Sequence, residues 1–292
     1  MTTDKDQLQA SHYAAAFIDL LGQREVFRGQ NLLPMAQTEE EKQQQFKIIK
    51  ETIQPIANLQ QRAEEIMLHS KPNLESKLRA TLSPSEQAMW DKTIDAVIIK
   101  QRWSDGIFIF TPLAEKLTKC PINAIFRMFI LTGSLCFMGL ATKQPLRGAI
   151  EVAWGMELHP GELYGPVVAR AYELESEVAG YPRIVIGPYL ANYLDLQSKN
   201  ASKERYAMVN QELASLCLNM LLRDVDGHYF LHYLGTNFRT AITESFHDEL
   251  YPKASTFVNL QLEKHQETQN TKLAFRYAHL QQYFKDYPSG HK

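Results

Sequence analysis

The stretch IDAVIIKQRWSDGIFIFTPL, residues 94–113, decides the fold class of this chain. Two runs rich in β-branched and aromatic residues flank Ser104, Asp105 and Gly106, and an Asp-Gly pair between such runs is a strong signal for a β-hairpin. Upstream, the apolar run YAAAFIDLLG (residues 13–22) predicts a buried strand that contains one acid, Asp19, and ends at a glycine. The chain therefore starts with a strand and reaches a hairpin about 80 residues later.

Helices and further strands are expected around these elements. The order strand–helix–hairpin–helix–strand is that of a ferredoxin-like sandwich, so the predicted fold class is α+β with a mostly antiparallel sheet. We expect one domain over residues 1–292, with a core at 13–22 and 94–190, a helical insert at about 39–90 and an α-rich C-terminal extension at about 205–292. The other predicted elements are helices at 39–69 (with a kink at Pro55), 120–142, 166–178, 188–197, 205–221 and 254–286, strands at 146–154 and 181–187, and a hairpin across 221–234.

Composition excludes several classes of protein. The 292 residues include 31 Lys and Arg against 33 Asp and Glu, so the net charge is −2 and no basic field favours nucleic-acid coating. An apolar share of 45% predicts a packed globular core. The apolar helix at 120–142 contains Arg127 and fewer uncharged residues in a row than the ~20 of a membrane span, and the N-terminus is polar. We expect a cytoplasmic protein with no membrane span and no nucleic-acid partner.

Two acids, Asp19 and Asp105, are candidates for a functional site because of their positions in the predicted strand and hairpin. Asp19 interrupts an apolar strand, and a buried carboxylate is costly unless it is paired or holds a metal. Asp105 lies at the tip of the hairpin. On a sheet that places the first strand beside the hairpin, these carboxylates could hold two magnesium or manganese ions and a nucleoside triphosphate. Asp105 could equally be a turn residue, and Asp19 a strand-end cap or an ion-pair partner.

Four segments, in order, resemble the class III nucleotide cyclases. They are FIDLLG (17–22), SDGIFIF (104–110), LRGAIEVAWGMELHPGELYGPVVARAYELE (146–175) and YPRIVIG (181–187). Their details are most similar to the bacterial Pycsar antiphage pyrimidine cyclases. The resemblance covers residues 13–22 and 94–190 and is interrupted by the helical insert.

The resemblance implies an activity and a site. Asp19, Asp105 and Leu20 would hold two Mn²⁺ or Mg²⁺ ions, and the backbone of Leu20, Leu21 and Gly22 would bind the triphosphate. The enzyme would be a homodimer with composite active sites that converts UTP to 3′,5′-cyclic UMP and pyrophosphate, a second messenger in antiphage defence. CTP is the alternative substrate.

One departure from the family pattern bears on catalysis. Purine-specific cyclases carry an Asn and an Arg where this chain has Ala169 and Glu173, which disfavours a purine substrate. Arg147 is the preferred replacement for the missing transition-state cation, ahead of Arg170 and Arg183, although it could equally form a surface ion pair or a strand-end cap. The same departure leaves open a catalytically silent, nucleotide-binding sensor.

Base selection falls to the first strand of the hairpin. Related cyclases select the base from this region, so Arg102 and Trp103 are the candidates here. A large side chain at Trp103 could narrow a pocket to pyrimidine size, and a cation could meet a carbonyl oxygen of uracil. Each residue could equally be structural, with Trp103 in the core and Arg102 in solvent.

Overall fold

The computed structural model describes residues 10–23, 36–69, 80, 83–85, 87–88, 91, 97–103, 106–113, 120–202, 204–242 and 244–289. Within these residues the chain is α+β, with a mostly antiparallel mixed sheet of eight strands and eight α-helices. The strands are β1 (Ser11–Leu20), β2 (Ile99–Trp103), β3 (Gly106–Pro112), β4 (Leu146–His159), β5 (Glu162–Tyr164), β6 (Ile184–Ile186), β7 (Leu221–Arg223) and β8 (Tyr229–Leu231). The helices are α1 (Glu39–His69), α2 (Pro121–Ala141), α3 (Pro166–Glu173), α4 (Pro188–Ser198), α5 (Arg205–Leu218), α6 (Thr236–Ala241), α7 (Glu244–Glu267) and α8 (Thr271–Asp286).

The strand order places β1 inside the sheet. The order is β2-β3-β1-β4-β6-β8-β7, with β5 paired to β4 beside this path. Strands β4 and β6 are parallel, and the other paired strands are antiparallel. The expectation that the first strand neighbours the hairpin is confirmed, because β1 pairs with β3. This arrangement is consistent with a ferredoxin-like domain.

Both predicted hairpins are present. Strands β2 and β3 pair antiparallel, and Ile107, Phe108, Ile109 and Phe110 of β3 are buried on both faces of the sheet. Strands β7 and β8 form the second hairpin. The strand predicted at 181–187 is confirmed but shorter, since only Ile184–Ile186 is paired.

Helix α2 is the core helix that its composition predicts. It is long and apolar enough to cross a membrane, but 83% of its most apolar window is buried inside the protein. Sheet and helices surround it, and apolar residues all round the helix therefore find apolar neighbours.

The prediction of a single long helix at 254–286 is wrong. Two helices, α7 and α8, pack against each other and are separated by a short turn. Gln269 adopts a left-handed conformation with φ 53°, and the Asn270 side chain accepts a hydrogen bond from the Leu273 amide, which starts α8. An Asn at this position is a favourable helix N-cap, and the chain therefore reverses here.

Helix α8 is anchored on the domain by its apolar face. Tyr277, Leu280, Tyr283 and Phe284 are buried in the main core. The C-terminal extension is thus part of the packed structure rather than an appendage.

Candidate functional site

A row of four residues crosses the sheet at the end of β1. Trp103 on β2 pairs with Gly106 on β3, Gly106 pairs with Asp19 on β1, and Asp19 pairs with Arg147 on β4. Directly opposed residues of antiparallel strands present their side chains on the same face. Three of the residues singled out in the sequence therefore share one row and one face of the sheet.

Gly106 fixes how closely β3 approaches Asp19. A Cβ atom at Gly106 would lie 2.6 Å from the Ile18 carbonyl oxygen, a distance that real Cβ atoms do not reach, and 3.6 Å from Asp19 Oδ1. Glycine therefore allows the close strand contact beside the acid. Asp105 directly precedes Gly106 in the chain but, like Ser104, lies outside the described residues.

The metal site expected from the sequence rests on the two acids Asp19 and Asp105. No group of three or more His, Cys, Asp or Glu side chains that could hold a metal occurs among the described residues. The expected pair of carboxylates is divided between Asp19, which is described, and Asp105, which is not. A carboxylate at a strand end is a suitable ligand for Mg²⁺ or Mn²⁺, and Asp19 is the described residue that fits this role.

Arg147 is held by acids on two sides. Its guanidinium forms an ion pair with Glu175 at 2.7 Å and a longer one with Asp19 at 3.7 Å. Its Nη1 also donates to the Ser176 carbonyl oxygen at 3.2 Å. Glu175 is 3% exposed and belongs to the π-helical turn Leu174–Val178 that continues α3. The side chain of Arg147 is therefore positioned before any ligand arrives.

These residues open onto a cavity of about 510 Å³. Its walls are the end of β1, the α2–β4 loop, the loop before β6, and helices α7 and α8. Among the residues that the structure describes, four cationic side chains and one acid, Asp19, line it. The cations are Lys143, Arg147, Lys264 and Arg276. A cavity of this size and charge suits a small polyanion.

The turn after β1 contributes backbone to the cavity. Leu20, Leu21 and Gly22 all line it, as the resemblance implies for a triphosphate site. Gly22 has a left-handed φ of 95° and is exposed, with nothing within 4 Å of a Cβ built there. The Leu21 amide donates to the Pro145 carbonyl at 2.9 Å, so this amide is already engaged by the loop before β4.

The other two candidate arginines lie elsewhere. The Arg170 guanidinium stacks over the Tyr189 ring, 4.2 Å from its centroid. Arg183 is 2% exposed and is bound by Asp224 and Asp226. Neither lines the cavity, so among the three arginines weighed from the sequence the structure brings Arg147 to Asp19.

Trp103, a candidate for base selection, is not among the described residues that line the cavity. Trp103 is 43% exposed and packs edge-on against Phe17, with 5.4 Å between ring centroids. Tyr172 of α3 approaches the same Phe17 ring at 5.6 Å and is 44% exposed. Trp103 is thus neither fully in the core nor isolated, and the side chain of Arg102 lies outside the described residues.

A buried polar network attaches α8 to the sheet. Asp224 accepts hydrogen bonds from Tyr181 and Arg183, and His279 of α8 contacts its Oδ1 at 2.8 Å. Burial alone would raise the pKa of Asp224, but these hydrogen bonds and the Arg183 charge outweigh it and hold the pKa well below its usual range. The hydrogen bond to Asp224 raises the pKa of His279.

Sequence reasoning missed the cations that close the cavity. Lys264 and Arg276 belong to α7 and α8, outside the segments that carry the resemblance. Lys143 is recognisable as unusual only from its backbone conformation. It follows the C-cap of α2 and has a left-handed φ of 62°, although it is not a glycine. Glycine or asparagine is usual at such a position.

Comparison with known proteins gives the chain no family. No protein-family model matches it, and no curated protein sequence matches it significantly.

Proposed function

We propose that the protein is a pyrimidine nucleotide cyclase that converts UTP to 3′,5′-cyclic UMP and pyrophosphate. The observation that carries the proposal is the convergence of Asp19, Arg147 and the turn at Gly22 on one cation-rich cavity. The residue that pairs with Asp19 is Gly106, the neighbour of Asp105 in the chain. A strand-end carboxylate, an oriented guanidinium and open backbone are what a nucleoside triphosphate requires.

The reaction is an intramolecular phosphoryl transfer. The 3′-hydroxyl oxygen of the ribose forms a bond to the α-phosphorus, the bond from the α-phosphorus to the bridging oxygen breaks, and pyrophosphate leaves with that oxygen. The hydroxyl proton passes to water. Arg147, positioned by Glu175, would donate hydrogen bonds to phosphate oxygens as negative charge builds in the transition state. Asp19 lies 3.7 Å from the same guanidinium and would orient it further.

Asp19 and Asp105 are the residues that would hold two divalent ions, with the Leu20 carbonyl as a further oxygen ligand. Bound Mn²⁺ or Mg²⁺ would lower the pKa of the ribose 3′-hydroxyl and offset charge on the α-phosphate. Both acids are therefore expected to be required for turnover.

The aromatic side chains of Trp103, Phe17 and Tyr172 support a binding site for the nucleobase near Asp19. Trp103 and Tyr172 flank the buried Phe17 and expose 43% and 44% of their surface. Partly exposed rings of this kind can stack on a nucleobase. UTP over CTP, and Arg102 as the group that meets the base, stay predictions.

We extend the proposal to a homodimer in the cytoplasm, with composite active sites, whose product is a second messenger in antiphage defence. The exposed rings of Trp103 and Tyr172 support it, because a second copy packed on this face would cover apolar surface beside Asp19. The antiphage role follows from the resemblance.

A catalytically silent nucleotide sensor is the alternative, and one observation favours it. Ala169 and Glu173 provide no cation from α3, and the Arg147 charge is already matched by Glu175. A sensor would bind nucleotide through the same cavity but release no pyrophosphate. Turnover separates the two functions.

The experiment is a turnover assay with UTP and Mn²⁺, comparing the wild-type protein with Asp19→Asn. We expect the variant to lose roughly a thousandfold or more in kcat, because it loses a ligand for the charge-stabilising metals. The matched control is Asp195→Asn, an exposed acid of α4 that pairs with Lys199, and its activity should equal the wild type. A turnover of Asp19→Asn within a few-fold of wild type would exclude the proposed site.

A further inference from the structure

We infer that Arg276 and Lys264 of the C-terminal helices, with Lys143, bind the β- and γ-phosphates of the nucleotide and then hold pyrophosphate once it has formed. This deepens the proposed function and rests on it, since it names the groups that receive the leaving end of the substrate. These helices lie outside the segments that resemble the nucleotide cyclases, so the assignment belongs to this chain's own architecture.

Arg276 is the central group. Its Nη2 lies 3.6 Å from a Cβ built at Gly180, which places the guanidinium against the loop that precedes β6. It faces the same cavity as Arg147 and is half-buried. No hydrogen bond or ion pair to the Arg276 guanidinium occurs among the described residues, whereas Arg147 has both Glu175 and Asp19.

The guanidinium groups of Arg147 and Arg276 line the same cavity, and their two positive charges favour binding of an anion there. Burial and the nearby Arg147 charge both lower the pKa of Arg276, because each disfavours the charged form of its guanidinium. Among the described residues, Asp19 is the acid that lines this cavity, and it is shared with Arg147. An anion bound between the two guanidinium groups would relieve this repulsion.

The turn of α8 that carries Arg276 is attached to the rest of the domain. His279, three residues later on the same helix, contacts Asp224 at 2.8 Å and Tyr181 at 3.2 Å. Residues three apart lie on neighbouring positions of a helix face, so this anchor fixes the helical turn from which the Arg276 side chain extends. Tyr181 itself lines the cavity, which ties the anchor to the site.

The two lysines complete the cationic wall. Lys143 adopts a left-handed φ of 62°, a costly conformation for a residue with a side chain, and it is exposed at the cavity. Lys264 lies in the last turn of α7, where it also stabilises the carbonyl end of its helix. Together with the planar fork of Arg276, these groups supply enough donors for two phosphates and favour a diphosphate over a single phosphate.

The experiment is calorimetric titration of the full-length protein with sodium pyrophosphate, and with orthophosphate as the comparison ligand. We expect the wild type to bind pyrophosphate more tightly than orthophosphate. Arg276→Gln should weaken pyrophosphate binding by roughly tenfold or more, since a charge-assisted hydrogen-bond pair is lost. Lys264→Gln should weaken it by roughly threefold, because its ammonium is exposed.

Lys272→Gln is the matched control, because Lys272 is an exposed cation on the same helix that does not line the cavity. It should bind pyrophosphate as the wild type does. Arg276→Gln is checked for folding by its thermal unfolding, and Lys264→Gln, which removes only an exposed side chain, keeps the test decisive if Arg276→Gln unfolds.

The outcomes separate the inference from the proposed function. Wild-type pyrophosphate binding by both Arg276→Gln and Lys264→Gln would overturn the inference, whether or not the protein cyclises UTP. Pyrophosphate binding that depends on Arg276, in a protein that cyclises no nucleotide, would support the anion site and reject the cyclase. Equal loss in Lys272→Gln would also overturn the inference, because it would show a general charge effect.

Discussion

The two sides of the cavity are built in different ways. On the sheet side, strand register places Asp19 opposite Gly106 and Arg147, and each charge has an opposite charge within 4 Å. On the helix side, Lys264 and Arg276 are carried by α7 and α8, and no ion pair to either is found among the described residues. The charges on the sheet side are therefore paired without a ligand, whereas the cations on the helix side are available to bind an anion.

This difference separates two tasks of a phosphoryl-transfer site. Groups that act on the reacting phosphate must be held in fixed geometry, which neighbouring strands provide through their hydrogen bonds. Groups that receive the leaving phosphates must bind and later release them, which suits side chains at a surface formed by packed helices. The connection between the two sides is the buried network around Asp224.

The largest expected effect comes from breaking that connection. Asp224→Asn leaves Arg183 buried without its full partner and removes the acceptor of His279. Loss of one member of a buried ion pair costs about 3 kcal/mol, which corresponds to a Tm decrease of roughly 6 °C for a chain of this size. Thermal unfolding measures it, with Asp286→Asn, an exposed acid of α8, as the control. An unchanged Tm would show that the network does not fasten the helices.

A smaller effect is expected from a conservative change on the sheet side. Arg147→Lys keeps the charge but loses the fork that spans Glu175, Asp19 and the Ser176 carbonyl. We expect kcat for UTP to fall roughly tenfold to a hundredfold, with little change in pyrophosphate affinity. The same substitution at Arg276 should weaken pyrophosphate binding more than it lowers kcat. If both variants had the same pattern, the division of tasks between sheet and helices would be wrong.

The smallest effect is a pH dependence of the helix attachment. The hydrogen bond to Asp224 raises the pKa of His279 above 6.5, so its contribution to stability is complete below pH 6.5 and is lost as pH rises through the raised value. Burial lowers the pKa of His232 to about 4, so stability falls instead as pH drops from 6.5 to 4. We expect the Tm of the wild type to decline as pH rises above 6.5 and passes through the raised pKa of His279. His279→Gln should remove that decline, and a slope that persists in the variant would assign it to other groups.

Much of the sheet side follows from local sequence patterns. The Asp-Gly pair predicts the β2–β3 hairpin, and the apolar run with its single acid predicts β1. Asp19, Leu20, Leu21, Gly22 and Arg147 were all selected from the sequence, and all line one cavity. These features are predictable because a strand and its turn are encoded by neighbouring residues.

The helix side could not be predicted in the same way. One long helix was expected at 254–286, although Asn270 followed by a helical pattern is a recognisable N-cap. Even with that break, nothing local indicates that Arg276 lines the same cavity as Arg147, because this depends on packing across 129 positions of the chain. Tertiary packing, and not propensity, places these cations.

The central claim is tested most directly by the product of the reaction. The wild-type protein is incubated separately with ATP, GTP, UTP and CTP in the presence of Mn²⁺, and the products are separated and identified by mass. We predict 3′,5′-cyclic UMP together with an equal amount of pyrophosphate from UTP, and no cyclic product from ATP or GTP. Bound nucleotide with no cyclic product from any of the four would contradict the enzyme and favour the sensor.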